Sequence, residues 1–160
     1  LAEITHKRRM SSLGPGGISR ETAGMAVRGI HSTHYGRICP IETPEGQNAG
    51  LVNSITTLGR VHTNGLLETP FLKVYKGSVQ KNIPAVFFSA EQEQEVIIAP
   101  GDLKISKLGC LAKNFIPIRC TNEFKRVLRD QVEYIAVSPI QMISIATSLI
   151  PFLEHDDANR

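Results

Sequence analysis

The chain has 160 residues, of which 41% are hydrophobic and 21% charged, and its formal net charge is +3. This composition is typical of a globular fold and excludes bulk disorder, and no apolar run approaches the roughly 20 residues that a membrane-spanning helix needs. Three cysteines, Cys39, Cys110 and Cys120, are too few for a disulfide scaffold and too far apart for a zinc ribbon. A reducing compartment is the simplest interpretation.

The first 50 residues predict a loop-rich segment. They are rich in Gly, Pro, Ser, Thr and His, and Gly14-Pro15-Gly16-Gly17 is a turn signal because proline fixes φ and glycine accepts a positive φ. A stretch this long without apolar periodicity is usually functional or held by other parts of a protein.

The pattern of residues 51–137 predicts short strands, because runs rich in β-branched and aromatic residues are separated by Gly, Pro and Asn. Ser138-Pro139 then predicts a helix start, and the apolar residues that follow surround the helix, so we expect it to be buried. We divide the chain into segments 1–55, 56–137 and 138–160. The predicted strands are Val52–Val61, Phe71–Tyr75, Ala85–Ser89, Glu95–Ala99, Phe115–Arg119 and Gln131–Val137.

The basic charge is concentrated at the start of the chain. Residues 1–40 carry six basic and two acidic side chains, whereas the other 120 carry 12 basic and 13 acidic ones. A basic stretch is a candidate phosphate-binding surface, and an ordinary solvated face is the alternative.

Common catalytic and metal-binding motifs are absent. The glycine-rich loop lacks the Gly-Lys-Ser/Thr of a P-loop and the third glycine of a dinucleotide fingerprint. His31 and His34 have no second ligand pair at zinc spacing, so we expect ordinary hydrogen-bonded histidines. Pro40 follows Cys39 directly and supplies no base, so we interpret Cys39 as structural.

The end of the chain is its densest polar cluster, Glu154 to Arg160. The carboxylates suit a divalent ion, Arg160 suits a phosphate, and a capped helix start is the alternative. Natural termini are usually bland, and the chain begins at Leu1, so we expect a segment of a longer protein. From the residues alone, nucleic acid is the leading partner, and a phosphate-handling enzyme fragment is the second hypothesis.

Four motifs together resemble one family. They are Leu1–Arg9, Ser12–Gly17, His34–Gly46 and Ser148–Arg160. In order and spacing these stretches resemble the β subunit of multisubunit DNA-directed RNA polymerase, of bacterial or plastid type. The resemblance implies an α+β fold: a loop-rich cleft segment, a small β-rich section and a buried helix.

The resemblance implies a nucleotidyltransferase that makes RNA on a DNA template from ribonucleoside triphosphates, with this stretch inactive alone. Residues 14–24 resemble the fork loop beside the transcription bubble. Arg20, Glu45 and Asn48 are then expected to face nucleic acid, and Asp157, Asn159 and Arg160 to contact the incoming nucleotide.

The family also implies a rifamycin pocket beside the nascent RNA, and we expect sensitivity because the polar positions are retained. The expected pocket residues are His6, Arg9, Ser11, Leu13, Pro44, Glu45, Asn48 and Val52.

The catalytic magnesium of the family lies on the β′ subunit, so we expect neither a catalytic metal nor another cofactor on this stretch. The implied partners are the β′, α and sigma subunits, DNA template, RNA transcript and nucleotides, with no membrane. Residues 11–12, 24–30 and 47–50 most resemble plastid β subunits of green algae. They favour the plastid stroma as the location, with the bacterial cytoplasm as the alternative.

Overall fold

A computed structural model describes residues 1–121 and 123–157. The chain forms two compact units, one from Leu1–Gly59 together with the chain from Met142 onward, the other from Arg60–Gln141. Within the described residues the helices and strands are, in chain order, α1 (Ala2–Lys7), β1 (Arg9–Ser11), β2 (Val52–Ser54), β3 (Arg60–Val61), β4 (Leu67–Tyr75), β5 (Ser78–Val79), β6 (Val86–Phe88), α2 (Ala90–Glu93), β7 (Ile98–Ala99), β8 (Phe115–Cys120), β9 (Glu123–Leu128), β10 (Tyr134–Ala136) and α3 (Ile145–Ser148).

In the first unit, a long excursion of the chain separates two paired strands. β1 and β2 pair antiparallel, and three single 3-10 turns lie between them, at Ala26–Arg28, Ser32–His34 and Gly46–Asn48. Cys39, Leu51 and Ile55 are buried there. The segment between β1 and β2 therefore contains no long helix or strand, and the pairing of the two strands holds its two ends together.

The second unit is built on one mixed sheet of the order β3-β4-β10-β7-β8-β9, with β5 and β6 also pairing with β4. β10 runs parallel to β7, and the other pairs are antiparallel. Its main core contains Val74, Leu111, Ile116, Val132 and Ile135. These β-branched and leucine side chains come from strands and loops far apart in the chain, which suits a sheet with one buried face.

The fold class α+β is confirmed, because the regular secondary structure of the described residues is mostly sheet, with few short helices. Each of the six predicted strand runs contains at least one strand. The predicted strand Val52–Val61 is wrong as one element, because it divides into β2 and β3. A turn closed by the Gly59 N–H on the Thr56 carbonyl separates them, at 3.2 Å.

The buried helix predicted from residue 138 is also wrong. Pro139–Met142 form a 3-10 turn and α3 has four residues, while Ile140 and Leu149 are exposed. The Ser144 side chain accepts a hydrogen bond from the Thr147 N–H and caps the start of α3. A serine oxygen competes with helical hydrogen bonds, so the preceding 3-10 turn and α3 do not join into one helix. In the described part of the chain, no helix is long and apolar enough to cross a membrane.

Candidate nucleic-acid interface

The pairing of β1 with β2 brings together residues far apart in the sequence. Ser11 lies opposite Val52, and Arg9 opposite Ser54. The Ser12 N–H extends the ladder by donating to the Leu51 carbonyl at 2.9 Å. Three expected pocket residues, Arg9, Ser11 and Val52, therefore lie on one two-stranded ladder.

Thr43 attaches a second segment to this ladder. Its hydroxyl accepts the Gly50 N–H at 2.8 Å and donates to the Val52 carbonyl at 3.0 Å. A hydroxyl can donate and accept at once, so one side chain fixes the loop at both points. Pro44 and Glu45 follow directly in the chain and are held beside the start of β2 as a consequence.

Arg28 holds the turn that carries Asn48. Its Nη1 donates to the Gln47 carbonyl at 2.7 Å and to the Ala49 carbonyl at 2.9 Å. Gly50 has φ +78°, and a Cβ there would lie 2.5 Å from the Arg28 carbonyl oxygen. The close approach and the positive φ both require glycine.

The expected pocket residues lie at or near the surface. Leu13, Asn48 and Val52 are half-buried, and the exposed ones are His6, Arg9, Ser11, Pro44 and Glu45. An open cavity of about 690 Å³ in the same unit is lined instead by residues such as Met25, Arg28, His34 and Gln47. Binding of a drug to the eight residues stays a prediction.

The basic residues of the first 40 positions divide into two groups. Lys7, Arg9 and Arg20 are exposed. The guanidinium groups of Arg8 and Arg37, like that of Arg28, donate to carbonyl oxygens of their own unit. The basic stretch was interpreted as a phosphate-binding or solvated face. This interpretation is wrong for Arg8, Arg28 and Arg37, because their guanidinium groups bind backbone carbonyls and hold the loops in place.

Arg20 lies beyond the glycine-rich turn. Gly14 and Gly16 have φ +111° and +78°, as the turn signal predicts, and the Gly17 N–H donates to the Gly14 carbonyl at 2.9 Å. The Arg20 Nη1 donates to the Gln47 Oε1 at 3.3 Å, and both side chains are exposed. The structure thus brings Arg20 next to the turn that carries Asn48.

The histidines and Cys39 have structural environments. The His31 Nδ1 accepts the Thr33 N–H at 3.2 Å, which confirms an ordinary hydrogen-bonded role. Burial, and to a lesser extent the neighbouring His31, lower the pKa of His34. Cys39 is buried with its Sγ 3.7 Å from the Thr147 Oγ1. Among the described residues no cluster of three or more His, Cys, Asp or Glu is placed to hold a metal ion.

The polar cluster after α3 is described only in part. Leu153–His155 form a 3-10 turn preceded by Phe152, which has φ +55°. The His155 Nε2 lies 3.7 Å from the Glu154 Oε1, and both side chains are exposed. Asp157 is exposed as well. Asn159 and Arg160, both expected to contact nucleotide, lie outside the described residues.

The charge count in the sequence analysis separated residues 1–40 from the rest and missed a second basic segment. Residues 104–129 contain seven basic side chains and one acidic one, Glu123. Six of the seven are exposed: Lys104, Lys107, Lys113, Lys125, Arg126 and Arg129. The seventh, Arg119, forms an ion pair with the buried Glu93. Counting charge in shorter windows would have found the segment.

Two family models match most of the chain. The model described as RNA polymerase Rpb2, domain 3, matches residues 1–61, and the model described as RNA polymerase beta subunit external 1 domain matches residues 71–138. The boundary between the two matches falls close to the division of the structure at Gly59 and Arg60.

Curated relatives match over the whole chain. A DNA-directed RNA polymerase subunit beta of Oltmannsiellopsis viridis is 68% identical over 160 residues, and this chain covers 11% of that protein. A DNA-directed RNA polymerase subunit beta N-terminal section of Stigeoclonium helveticum is 65% identical, with 23% of it covered. The subunit beta of Prochlorococcus marinus (strain MIT 9312) is 58% identical, with 15% covered.

The relatives come from green algae and cyanobacteria, which indicates a plastid or bacterial origin. The chain spans less than a quarter of the length of each of the three. The two family models describe RNA polymerase domains, and the three relatives, which match the whole of this chain, are named as the β subunit of that enzyme. The chain belongs to the β-subunit family of DNA-directed RNA polymerase.

Proposed function

We propose that the chain forms part of an enzyme that synthesises RNA on a DNA template from ribonucleoside triphosphates. The observation that carries this proposal is the match of the whole chain, at 58 to 68% identity, to proteins named DNA-directed RNA polymerase subunit beta. The proposed partners are the β′, α and sigma subunits, the DNA template and the transcript. The catalytic magnesium belongs to β′ in this proposal.

Residues 1–53 supply the surface that faces the transcript and the hybrid. The β1–β2 ladder and the Thr43 hydrogen bonds support this proposal, because they hold Ser11 and Val52 near Glu45. Exposed Arg20 offers a guanidinium to a nucleic-acid phosphate. A surface that combines an exposed cation with polar and apolar groups suits a nucleic-acid strand.

Asp157, Asn159 and Arg160 form the nucleotide contact in this proposal. A guanidinium binds phosphate through two parallel hydrogen bonds, and fixed positive charge stabilises the transition state of phosphoryl transfer. In the assembled enzyme Arg160→Ala raises the KM for nucleotides by about tenfold, as the loss of one charged contact of about 1.4 kcal/mol requires. Arg160→Lys, which keeps the charge, is the matched variant. An unchanged KM and kcat in Arg160→Ala counts against the role.

The eight surface residues named above form a rifamycin pocket. Polar groups on His6, Arg9 and Ser11 beside apolar Leu13 and Val52 supply the mixed lining that a small-molecule site uses. Transcription by the assembled enzyme is then inhibited by a rifamycin. Full activity of the purified enzyme at a saturating drug concentration contradicts this pocket.

A stand-alone nucleic-acid-binding module is the second candidate function. The basic segment 104–129 favours it, because its exposed cations form an electrostatic footprint. The length of the open reading frame, and the proteins that co-purify with its product, distinguish the polymerase subunit from the stand-alone module. A subunit function requires co-purification of the chain within a much longer polypeptide with β′ and α, and a module requires a separate product. The proposed location is the plastid stroma, with the bacterial cytoplasm as the alternative, and the genome that encodes the chain decides between them.

A further inference from the structure

The basic segment of the second unit folds back on itself at residues 111–114. The Lys104 carbonyl accepts the Ala112 N–H at 3.3 Å, which places Lys104 one residue from Lys113 across the fold. Lys107 lies in the turn between them, where the Gly109 N–H donates to the Ser106 carbonyl at 2.9 Å. Lysines that are separated in the sequence are therefore close to one another in the structure.

Arg129 and Lys76 reach the same stretch from two other parts of the chain. The Arg129 N–H donates to the Asn114 carbonyl at 2.9 Å. The Gly77 carbonyl, directly after Lys76, accepts the Leu111 N–H at 2.8 Å. A Cβ on Gly77 would lie 3.2 Å from the side chain of Arg129, so these two parts of the chain also meet each other.

The positive charge gathered here is not neutralised by neighbouring carboxylates. All five side chains are exposed, and we call them the basic corner: Lys76, Lys104, Lys107, Lys113 and Arg129. Within the part of the chain that the structure describes, none of the four lysines forms an ion pair. Asp102 and Asp130 are the carboxylates nearest to the corner in the sequence, and five cations outnumber them.

The chemistry of the basic corner fits the phosphate backbone of duplex DNA. Lysines are depleted at protein–protein interfaces, so four lysines among five cations argue against a protein partner. Single-strand binding relies on bases that stack on aromatic rings, and the exposed ring of Tyr75 already has the Lys76 Nζ over one face, at 5.5 Å. Duplex DNA needs no stacking surface and presents one phosphate charge per about 1.7 Å of its axis.

We propose that the basic corner binds the phosphate backbone of duplex DNA, as a contact in addition to those proposed for residues 1–53. Phosphate contacts carry no sequence information, so the corner adds affinity and fixes position rather than selecting a sequence. The inference rests on the proposed function in one respect, which is that a template-directed polymerase holds duplex DNA. The binding itself requires only the exposed cations.

The test is the affinity of the assembled enzyme for a promoter-free DNA duplex, measured by fluorescence anisotropy at several salt concentrations. Lys104→Gln combined with Lys113→Gln removes two phosphate contacts. We expect about tenfold weaker binding at low salt, and a slope of log affinity against log salt that is smaller by about 2. Lys104→Arg combined with Lys113→Arg keeps both charges and stays near the parent in both quantities.

The matched control removes the same number of charges from the exposed strand β9, with Lys125→Gln and Arg126→Gln. We expect its salt slope to change by less than half as much. Equal losses in the two glutamine pairs indicate an effect of net charge alone and overturn the proposal, and so does unchanged duplex binding in the Lys104 and Lys113 pair.

Two further probes separate the other possible partners. A loss confined to single-stranded RNA, or to polyglutamate as an acidic polypeptide, with duplex binding unchanged, overturns the assignment to duplex DNA. RNA synthesis by the parent enzyme is measured separately. Its absence counts against the proposed function and leaves the comparison of DNA affinities intact, so the two failures are distinguishable.

Discussion

Replacing Arg28 with methionine tests whether this arginine holds the turn at residues 46–50. The substitution keeps an apolar stem and removes the two hydrogen bonds to the Gln47 and Ala49 carbonyls. Hydrogen bonds from a charged donor contribute about 1.5–3 kcal/mol each when buried, and partial exposure here reduces the sum for both to about 2 kcal/mol. Because 1.4 kcal/mol corresponds to a factor of ten, local opening of the turn becomes about 30-fold more frequent.

Hydrogen exchange in the assembled enzyme, without nucleic acid, measures this opening. The reporting amides are those of Ala49, Gly50 and Leu51, each of which donates within the turn or to Thr43. Arg20→Met is the matched control, because Arg20 makes one exposed contact of 3.3 Å to the side chain of Gln47. We expect less than about a twofold change in the control. Equal acceleration by both variants, or none by Arg28→Met, refutes the structural role of Arg28.

Three further predictions concern other polar side chains. Thr43→Val accelerates exchange of the Gly50 amide about fivefold, since a hydrogen bond of about 1 kcal/mol is lost, whereas Thr43→Ser leaves it near the parent rate. Gln141→Leu leaves the buried carbonyl of Pro70 without its donor at 2.7 Å and destabilises the second unit by about 1–3 kcal/mol, seen as a lower unfolding temperature; an unchanged temperature contradicts this. The folded-state pKa of His34 is lowered below its ordinary value of 6.5, so the unfolded chain binds more protons in the window below 6.5. Stability of the first unit therefore falls as the pH drops through that window, and His34→Gln removes this part of the slope of unfolding temperature against pH. An identical slope in the variant argues against it.

Local sequence patterns predicted the strands of the second unit well. Runs such as Phe115–Arg119 are rich in β-branched residues and end at turn signals, so propensity and burial agree there. β9 was not predicted because three of its six residues, Glu123, Lys125 and Arg126, are charged and most of the strand is exposed, as on a sheet edge. The pairing of β10 with β7 and β4 depends on contacts between distant residues, which no local pattern encodes.

The prediction of a buried helix after residue 138 was wrong for a different physical reason. Apolar residues on every side of a helix predict that the helix is buried. The fully buried side chains of this segment are instead polar, namely Gln141, Ser144 and Thr147. Each is hydrogen-bonded inside its unit, so burial followed hydrogen-bond partners rather than hydropathy.

The residues of the candidate site were named from the resemblance and stay predictions, whereas their arrangement in the structure had no local sequence signal. The resemblance supplied Ser11, Val52 and Glu45, and the turn signal at Gly14 was correct. The inward direction of Arg8 and Arg28 has no local signature, because a basic residue in a loop is exposed more often than it is bound to carbonyls.

The central claim is that residues 1–53 face the transcript in an assembled polymerase. A photoreactive nucleotide placed near the 3′ end of the RNA in an elongation complex tests it most directly, with the crosslinked peptides mapped by mass spectrometry. We expect crosslinks within residues 6–13 and 44–52, and we expect a bound rifamycin to reduce them. Crosslinks confined to residues 60–141, with none in either stretch, contradict it.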